Sequence, residues 1–550
     1  MNVQTRAVSM ESISATIAQC PYLVSAEHIS LPESPVSETA FQWNAVPSLS
    51  ERHQVRSTLS QICGDLAVLD DTLAHIASIQ TRLLEKRESL QVFSDKLNGL
   101  ISPIRTTPPE ILAEIFSYLK GDYCDKGPAY ARAVSLFPTH VCQQWRQIAL
   151  SIPSLWDSVY ISGGSISESI RNSEVECIKT WLARAKDCPL SINLRRVDSW
   201  WDDNDFQTDY AYDAIFKILL QHSHRWQHAI LVSTSGTDFS SLRNNLPLLE
   251  TLEIDCPVSD HTIIVGNAFE IAPRLSNVTI SSGTINILPW AQLKVFTTDV
   301  DLSILQSLTL LQQMPNIISF HTETFYNESE MLGTIGTPLQ MSKLERLSVL
   351  DIAMFSMARY LRCLTLPSLT SIKLSSDGPH RGVPDDWVLA TISMIQQSSC
   401  SIKSLEVTSG KWDGQATLGD LFRVTPQLQT FHIGWNTEYD FGQFVGFLMA
   451  PLGTSSTACL APKLQHIKLL YLPPFEPQAF VDMVNSRWRV TPGGSIARLG
   501  SIELFNIPSA TIFDSSHLEH LGEFAAEGLD IKLNDVEGKP ILFEIGSMSA

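Results

Sequence analysis

Apolar residues recur at every seventh position between residues 51 and 102, and no proline interrupts them before Pro103. One position of this heptad is occupied by Ile62, Leu69, Ile76, Leu83, Leu90 and Leu97. The second position is apolar at Leu59, Leu66 and Leu73 but becomes polar from Gln80 onward. The pattern predicts one long, coiled-coil-like helix with an apolar seam. A homodimer through this helix and a helix packed on its own protein or on a partner both fit the sequence.

A shorter repeat governs residues 176–535, where helical patterns alternate with short strand-like segments. Beyond residue 245 the motif is Pro-x-apolar-x-x-apolar, usually with another apolar residue two positions later. Copies lie at Pro247, Pro273, Pro315, Leu344, Pro367, Ile402, Pro426, Pro462 and Leu499, some of them without the proline. A strand and a helix repeated about every 25 to 35 residues predict an irregular leucine-rich-repeat solenoid. The alternative is an ordinary α/β domain whose strands happen to have the same sequence pattern.

Between these regions, residues 104–158 have the pattern of three short helices. Thr107 and Glu110 have the spacing of a capping box around Pro108 and Pro109, which predicts a helix start there. Behind it, one helical face is formed by Ile111, Leu112, Ile115, Phe116 and Leu119. A second apolar face follows Pro138 at Val141, Trp145, Ile148 and Ala149. The predicted fold class is α/β, with this helical segment between a long helix and a solenoid.

The two ends of the chain look different from the rest. Residues 1–50 are rich in Ser, Thr, Glu and Pro without sustained periodicity, so we expect disorder there. Residues 536–550 are expected to form a C-terminal tail.

Composition narrows the classes of function. The net charge of −19 disfavours binding to nucleic acid or to an anionic membrane, because both need a basic face. The chain has neither a signal-peptide pattern nor an apolar run of transmembrane length, and its ten cysteines include no C-x-x-C pair. We therefore expect a cytoplasmic or nuclear protein with reduced cysteines.

The sequence offers no compelling site for catalysis, a cofactor or a metal. His222, His224 and His228 lie close together, and the last two have helical zinc-ligand spacing, but no Cys or carboxylate nearby completes a ligand set. The acidic run 202–205 lacks the glycine and glutamate of a calcium loop. No phosphate-binding loop or G-x-S-x-G motif occurs. The prediction is a protein-binding chain that is not an enzyme.

One stretch resembles a known family. Residues 104–116, with Pro108-Pro109-Glu110 at their centre, are followed by Val141-Cys142-x-x-Trp145-Arg146 and Leu155-Trp156. Together these residues resemble the F-box, and the chain is most similar to the large group of F-box proteins of mushroom-forming fungi. In that group a coiled helix precedes the F-box and irregular leucine-rich repeats follow it. The family usually has leucine where this chain has Thr107.

The resemblance implies a substrate receptor of an SCF-type, cullin–RING ubiquitin ligase. Its F-box would bind a Skp-type adaptor through Pro108, Pro109, Ile111, Leu112, Ile115, Phe116, Val141 and Trp145. Of these, Pro108, Pro109 and Ile111 would mainly face the adaptor, while Leu112, Ile115 and Trp145 would also pack inward. The alternative is a leucine-rich-repeat scaffold that self-associates through its helical region and has no role in ubiquitin-dependent degradation.

Substrate binding would belong to the solenoid, whose consensus apolar residues point inward. The residues between and after them would then face the concave surface. The candidates are Glu253, Asp255, Thr279, Ser281, Lys373, Ser375, Glu406, Thr408, His432, Lys468, Leu470, Glu503 and Phe505. Their mixed chemistry does not indicate a particular protein substrate.

Overall fold

The computed structural model describes most of the chain after residue 46. The described residues are 26, 28–37, 41, 46–119, 128–163, 168–196, 210–232, 239–255, 266–281, 287–300, 302–323, 337–350, 355–375, 386–409, 418–435, 445, 448, 460–471, 474–491, 493–508 and 511–541. They belong to two compact units, Met1–Ile111 and Leu112–Ala550. Most of the predicted disordered segment, residues 1–50, and residues 542–550 of the predicted tail lie outside the described residues.

The first unit is dominated by helix α1, Leu49–Leu100. Ser48 caps it: its hydroxyl accepts from the Glu51 amide at 3.3 Å, and the Glu51 carboxylate accepts from the Ser48 amide at 2.7 Å. This reciprocal capping satisfies two backbone donors that a helix start leaves unpaired. The long helix predicted from the heptads is present, while its assembly into a coiled coil stays a prediction.

The segment after α1 departs from the expected helix cap. A 3-10 helix, Pro103–Thr106, precedes helix α2, Pro109–Ser117. Because α2 begins at Pro109, Thr107 lies one residue too early to be its N-cap. The Thr107 hydroxyl instead donates to the Pro103 carbonyl at 3.3 Å. The capping box predicted for Thr107 and Glu110 is therefore wrong.

In the second unit, α2 is followed by α3, Pro128–Val141, and α4, Gln143–Ser151. Pro138 lies inside α3 instead of preceding a helix. The helical conformation is interrupted at Cys142, which has an extended backbone. The Cys142 sulfur accepts from the Trp145 amide at 3.5 Å. The apolar face predicted to run from Val141 to Ala149 is thus divided between two helices.

Within the described residues a 14-stranded sheet follows, and its neighbouring strands are parallel and occur in sequence order throughout. Its strands are β1 Ser158–Gly163, β2 Leu190–Arg196, β3 Trp226–Val232, β4 Thr251–Asp255, β5 Asn277–Ile280, β6 Val295–Thr298, β7 Ser319–Glu323, β9 Arg346–Leu350, β11 Ser371–Ser375, β12 Ser404–Ser409, β13 Thr430–Trp435, β14 His466–Leu470, β15 Ser501–Ile507 and β16 Asp530–Asp535. Strands β8, Leu339–Gln340, and β10, Leu364–Thr365, form a separate pair. The sheet already begins at Ser158, before the repeat start expected at residue 176.

Helices connect many of these strands. They are α5 Glu168–Ala185, α6 Tyr210–Leu220, α7 Ile304–Gln313, α8 Phe355–Arg362, α9 Asp386–Ser398, α10 Leu418–Val424, α11 Pro477–Trp488 and α12 Ser515–Ala526. Connections between strands also contain 3-10 helices, at Ser223–Arg225, Ser240–Leu242 and Trp290–Gln292. Among the described residues, no helix is both long enough and apolar enough to cross a membrane.

The repeated motif explains the core. In the copy at Pro247, the apolar residues Leu249, Leu252 and Ile254 are all buried. Leu252 is in register with Val278 on the next strand, and Ile254 with Ile280. The same two inward positions continue along the sheet, so each strand adds one layer to a continuous core. This one-dimensional stacking is that of an irregular, leucine-rich-repeat-like solenoid.

Candidate functional site

Two surfaces include the residues singled out by the sequence. The first is the helical segment, where the predicted adaptor residues divide by exposure. Pro108, Pro109, Ile111, Ile115 and Val141 are exposed, Trp145 is half-buried, and Leu112 and Phe116 are buried. Within α2 alone, Ile111 and Ile115 are 52% and 47% exposed, whereas Leu112 and Phe116 are 0% and 1% exposed. The helix therefore has one apolar face in the core and a second one open to solvent.

Two exposed aromatic side chains on this segment were missed by the sequence analysis. Tyr118 directly follows α2, and Phe137 lies on α3 one turn before Val141. The Phe137–Val141 spacing of four residues was the available signal, because such pairs share a helix face. Pro138 hides this signal, because a proline usually marks a helix boundary.

The helices of the second unit are joined to the sheet through aromatic and charged contacts. Trp156 is buried, and its indole N–H donates to the Ala149 carbonyl at 3.0 Å. The Arg184 guanidinium lies 4.6 Å from the centre of the Trp156 ring. Arg132 of α3 donates to the Tyr160 carbonyl of β1 at 2.6 Å and to Glu174 of α5 at 2.8 Å. Residues 112–158 and the first strands thus share one core.

The second surface is the exposed face of the sheet. Strand pairing aligns one outward position per strand into a central row: Tyr160, Asn193, Ile230, Glu253, Thr279, Thr297, His321, Ser348, Lys373, Glu406, His432, Lys468, Glu503 and Lys532. Seven of the predicted substrate residues, Glu253, Thr279, Lys373, Glu406, His432, Lys468 and Glu503, lie in this row. Asp255 lies two positions further along β4, and its side chain is outside the described residues.

The last six positions of the central row are occupied by charged or titratable side chains, which we call the charged row: Lys373, Glu406, His432, Lys468, Glu503 and Lys532. Glu406 lies between two basic side chains, with its carboxylate 2.9 Å from the Lys373 ammonium and 3.3 Å from Nδ1 of His432. The hydrogen bond from His432, supported by Lys373, lowers the pKa of Glu406 from 4.5 to about 2, although burial opposes this. Glu406 is therefore ionised under all ordinary conditions.

A second carboxylate in the charged row has the same environment. The Glu503 carboxylate lies 2.6 Å from the Lys532 ammonium and 3.7 Å from the Lys468 ammonium. The hydrogen bond from Lys532 lowers the pKa of Glu503, and Glu503 in turn raises the pKa of Lys532. The Lys468 ammonium also lies 5.2 Å from the centre of the Phe505 ring. Each carboxylate at this end of the sheet thus lies between two basic side chains.

A third group lies nearer the middle of the sheet and was missed by the sequence analysis. Asp299, His321 and Glu323 each offer one metal-ligating atom, and these three atoms lie within 4.8 Å of one another. His321 belongs to the central row. It lies in the truncated repeat copy at Pro315, which has too few of the motif's apolar residues to mark its strand clearly. Asp299 directly follows β6, which lacks the proline motif altogether. His321 and Glu323 share β7, and strand register brings Asp299 to them.

No family model matches the chain, and no curated protein matches it. Among solved structures, the chain is similar to the leucine-rich repeat-containing protein LegL7 from Legionella pneumophila, with a TM-score of 0.29 and 10% sequence identity. That match covers 57% of this chain and 92% of LegL7. A likeness this weak identifies neither family nor function, so the description as a solenoid depends on strand order and register.

Proposed function

We propose that this chain is the substrate-receptor subunit of an SCF-type ubiquitin ligase. In this proposal residues 104–158 bind a Skp-type adaptor, and the exposed face of the sheet binds a protein substrate. The assignment of residues 104–158 to the F-box comes from their resemblance to that family, with Thr107 as a departure from it.

The observation that favours the proposal most is the second apolar face of α2. Ile111 and Ile115 lie one helical turn apart and are about half exposed, although neighbouring Leu112 and Phe116 fill the core. Exposing apolar area at two successive turns is unfavourable in water, and such faces are usually covered by a partner. Insertion of α2 into a groove of the adaptor would cover this apolar face.

The sheet supplies a suitable second surface. Its central row presents ion-paired acidic and basic side chains on rigid strands, so their positions are fixed before binding. Preorganised groups lose little conformational entropy on association. A substrate protein with complementary charges would be selected by the charged row and by the uncharged row positions beside it.

The chain itself would make and break no covalent bond. It would hold a substrate lysine near the ubiquitin thioester that the cullin–RING assembly carries. Binding two partners at once converts an encounter in solution into an intramolecular one, which raises the effective concentration of the reacting groups.

Binding of the full-length chain to a purified Skp-type adaptor tests the proposal. We expect saturable binding, and Ile111→Asp and Ile115→Asp should each weaken it at least about tenfold, since a charge would enter an apolar contact. These exposed positions are better choices than Leu112 or Phe116, whose substitution would disrupt the core. Leu389→Asp is the matched control, because Leu389 is an equally exposed apolar residue on α9.

The proposal fails if the wild-type chain does not bind the adaptor, or if Ile111→Asp and Ile115→Asp bind as well as Leu389→Asp. Affinity capture from cells should then lack the adaptor and the cullin together. Thr107→Leu is a further variant, since it restores the residue usual in the family and should strengthen adaptor binding.

A self-associating scaffold is a second candidate, favoured by the exposed seam of α1. This seam repeats every seven residues, at Ile76, Leu83, Leu90 and Leu97, and all four side chains are exposed. A coiled-coil helix shows this pattern when no partner helix covers its seam. Sedimentation of the full-length chain would detect a dimer, and Leu83→Glu with Leu90→Glu should dissociate it. A dimer that ignores the adaptor would favour the scaffold over the receptor.

A further inference from the structure

We propose that Asp299, His321 and Glu323 bind a divalent transition-metal ion on the exposed face of the sheet. The three side chains come from adjacent strands, because Asp299 follows β6 and the other two belong to β7. We call them the His321 cluster. The proposal is independent of the adaptor and of the ubiquitin ligase.

The fold itself holds these ligands. Thr297 and His321 are directly paired across β6 and β7, and Asp299 and Glu323 each lie two residues further along. The Asp299 amide donates to the Ile280 carbonyl at 3.0 Å, which continues the parallel ladder beyond β6. Side chains two residues apart in a strand point to the same face. All three ligands therefore project from one face of a rigid, paired backbone.

The distances suit a small ion. Nε2 of His321 lies 3.6 Å from Oε1 of Glu323 and 3.9 Å from Oδ1 of Asp299. Metal–ligand bonds of about 2.0 to 2.2 Å place neighbouring ligand atoms roughly 3.0 to 3.5 Å apart. To reach this range, the two distances from Nε2 of His321 would each need to shorten by at most about half an ångström. Side-chain rotation can supply this change. Water molecules would complete the coordination sphere.

The orientation of the His321 ring favours a cation over a hydrogen bond. Its Nδ1 lies 2.7 Å from the Ser348 hydroxyl on β9. When Nδ1–H donates to Ser348, the lone pair of Nε2 points toward the two carboxylates, as in sites where a second group orients a ligating histidine. In the other tautomer Nε2–H would face oxygens at 3.6 and 3.9 Å, which is beyond hydrogen-bond distance.

The other histidine of the central row shows the contrast. Near His432 there is one carboxylate, Glu406, and the Lys373 ammonium lies 2.9 Å from it. That ammonium already supplies a positive charge, and a metal ion would have to compete with it. The His321 cluster combines two carboxylates with one imidazole. Among the described residues of this face, that donor set suits a metal ion better than the one around His432.

The donor atoms also select the class of metal. One imidazole nitrogen with two carboxylate oxygens suits Zn²⁺, Co²⁺ or Mn²⁺, whereas Ca²⁺ and Mg²⁺ prefer sites built from oxygen alone. Three protein ligands leave at least one coordination position open. An ion held there could accept a further ligand from a molecule lying on the sheet.

Titration of the full-length chain with Co²⁺ tests the site, after treatment with a chelator and dialysis. We expect one equivalent to bind with the visible absorption of Co²⁺ coordinated by nitrogen and oxygen, and Zn²⁺ to displace it. His321→Ala, Asp299→Asn and Glu323→Gln should each abolish this spectrum or weaken binding at least about 100-fold. Ser348→Ala should weaken it about tenfold, as loss of an orienting group does.

His432→Ala is the matched control and should leave the titration unchanged. The two amide variants preserve shape, so they keep the test valid even if His321→Ala fails to fold, which far-ultraviolet circular dichroism would reveal. The proposal is overturned if the wild-type chain gives no saturable Co²⁺ spectrum. It is equally overturned if His321→Ala, Asp299→Asn and Glu323→Gln bind like the wild type, because the ion would then lie elsewhere.

Discussion

The indole rings of Trp156 and Trp181 meet edge to face, with their centres 4.7 Å apart and their planes at 75°. Trp156 ends the helical segment and Trp181 belongs to α5, beyond the first strand. The indole N–H of Trp181 also donates to the Ser158 carbonyl at 3.0 Å. Residues 112–158 are therefore completed by side chains of the repeat region, and a fragment that ends near residue 165 would lack them.

Replacing Trp156 by alanine should destabilise the second unit by about 3 to 5 kcal/mol, because it leaves a large cavity in a core where Trp156 is fully buried. Chemical unfolding of the full-length chain, followed by tryptophan-independent far-ultraviolet signal, measures the shift. Tyr118→Ala is the control, since Tyr118 is exposed and its loss should cost under about 0.5 kcal/mol. Equal shifts for the two variants would mean that Trp156 does not join the helices to the sheet.

Glu406 should make the stability of the repeats depend on pH. Its pKa is about 2 in the folded chain against an ordinary value of 4.5, so its ionised form favours folding above pH 4.5. That contribution falls as the pH drops from 4.5 toward 2. Glu406→Gln should cost about 2 kcal/mol at pH 7, a figure reduced for partial solvent exposure.

Unfolding midpoints of the wild type and Glu406→Gln, compared at pH 7 and near pH 3, check this expectation. The gap between them should narrow at the lower pH. Glu345→Gln controls for the substitution itself, because Glu345 is an exposed carboxylate just before β9. A gap that stays constant with pH would contradict the assignment of the low pKa to the ion pairs of Glu406.

The parallel sheet was predictable because its signal is local. Each motif copy places apolar residues at positions such as Leu252 and Ile254, and alternation in a strand then fixes which neighbours face outward. Lys373, Glu406, His432, Lys468 and Glu503 were found in this way. Lys532 was not, because β16 lacks the proline and the leucine that mark other copies.

Contacts that depend on packing between distant residues could not be predicted. Asp299 and His321 meet only through strand register, and β6 gives no motif by which to count that register. Thr107 had the right spacing for a cap, but the actual helix start depends on the 3-10 helix before it. The adaptor role of α2 stays a prediction, although the exposure of Ile111 and Ile115 shows which residues to change.

Replacing Arg487 should lower the stability of the repeats more than replacing any exposed charged residue discussed above. It is fully buried in α11, and its guanidinium donates to the carbonyls of Leu448, Ala461 and Leu460 at 2.5, 3.0 and 2.9 Å. Arg487→Met would remove these three hydrogen bonds from the interior, which should cost about 3 to 5 kcal/mol.

The matched control for Arg487 lies two residues away. Arg489 pairs with Glu527 through two contacts of 2.6 Å but is about half exposed, so Arg489→Met should cost at most about 1 kcal/mol. Urea unfolding of both variants separates them. Similar losses would show that the carbonyl contacts of Arg487 contribute little.

Helix capping offers a further paired test. Ser303 caps α7, with its hydroxyl accepting from the Gln306 amide at 3.1 Å and Gln306 accepting in return from the Ser303 amide at 2.8 Å. Ser303→Ala should therefore cost about 1 kcal/mol. Thr107→Ala should cost clearly less, because Thr107 does not cap α2. A larger loss for Thr107→Ala in thermal unfolding would contradict the helix start at Pro109.

The strand spacing of the sheet also sets distances along its exposed face. Neighbouring strands lie about 4.8 Å apart, so the fourteen strands among the described residues extend about 60 Å along the central row. His321 and Lys532 are seven strand intervals apart in it, or about 34 Å. A partner that touches both would need roughly ten residues of extended chain or about 22 residues of helix. A shorter peptide could engage only one end, so the two ends can be occupied separately.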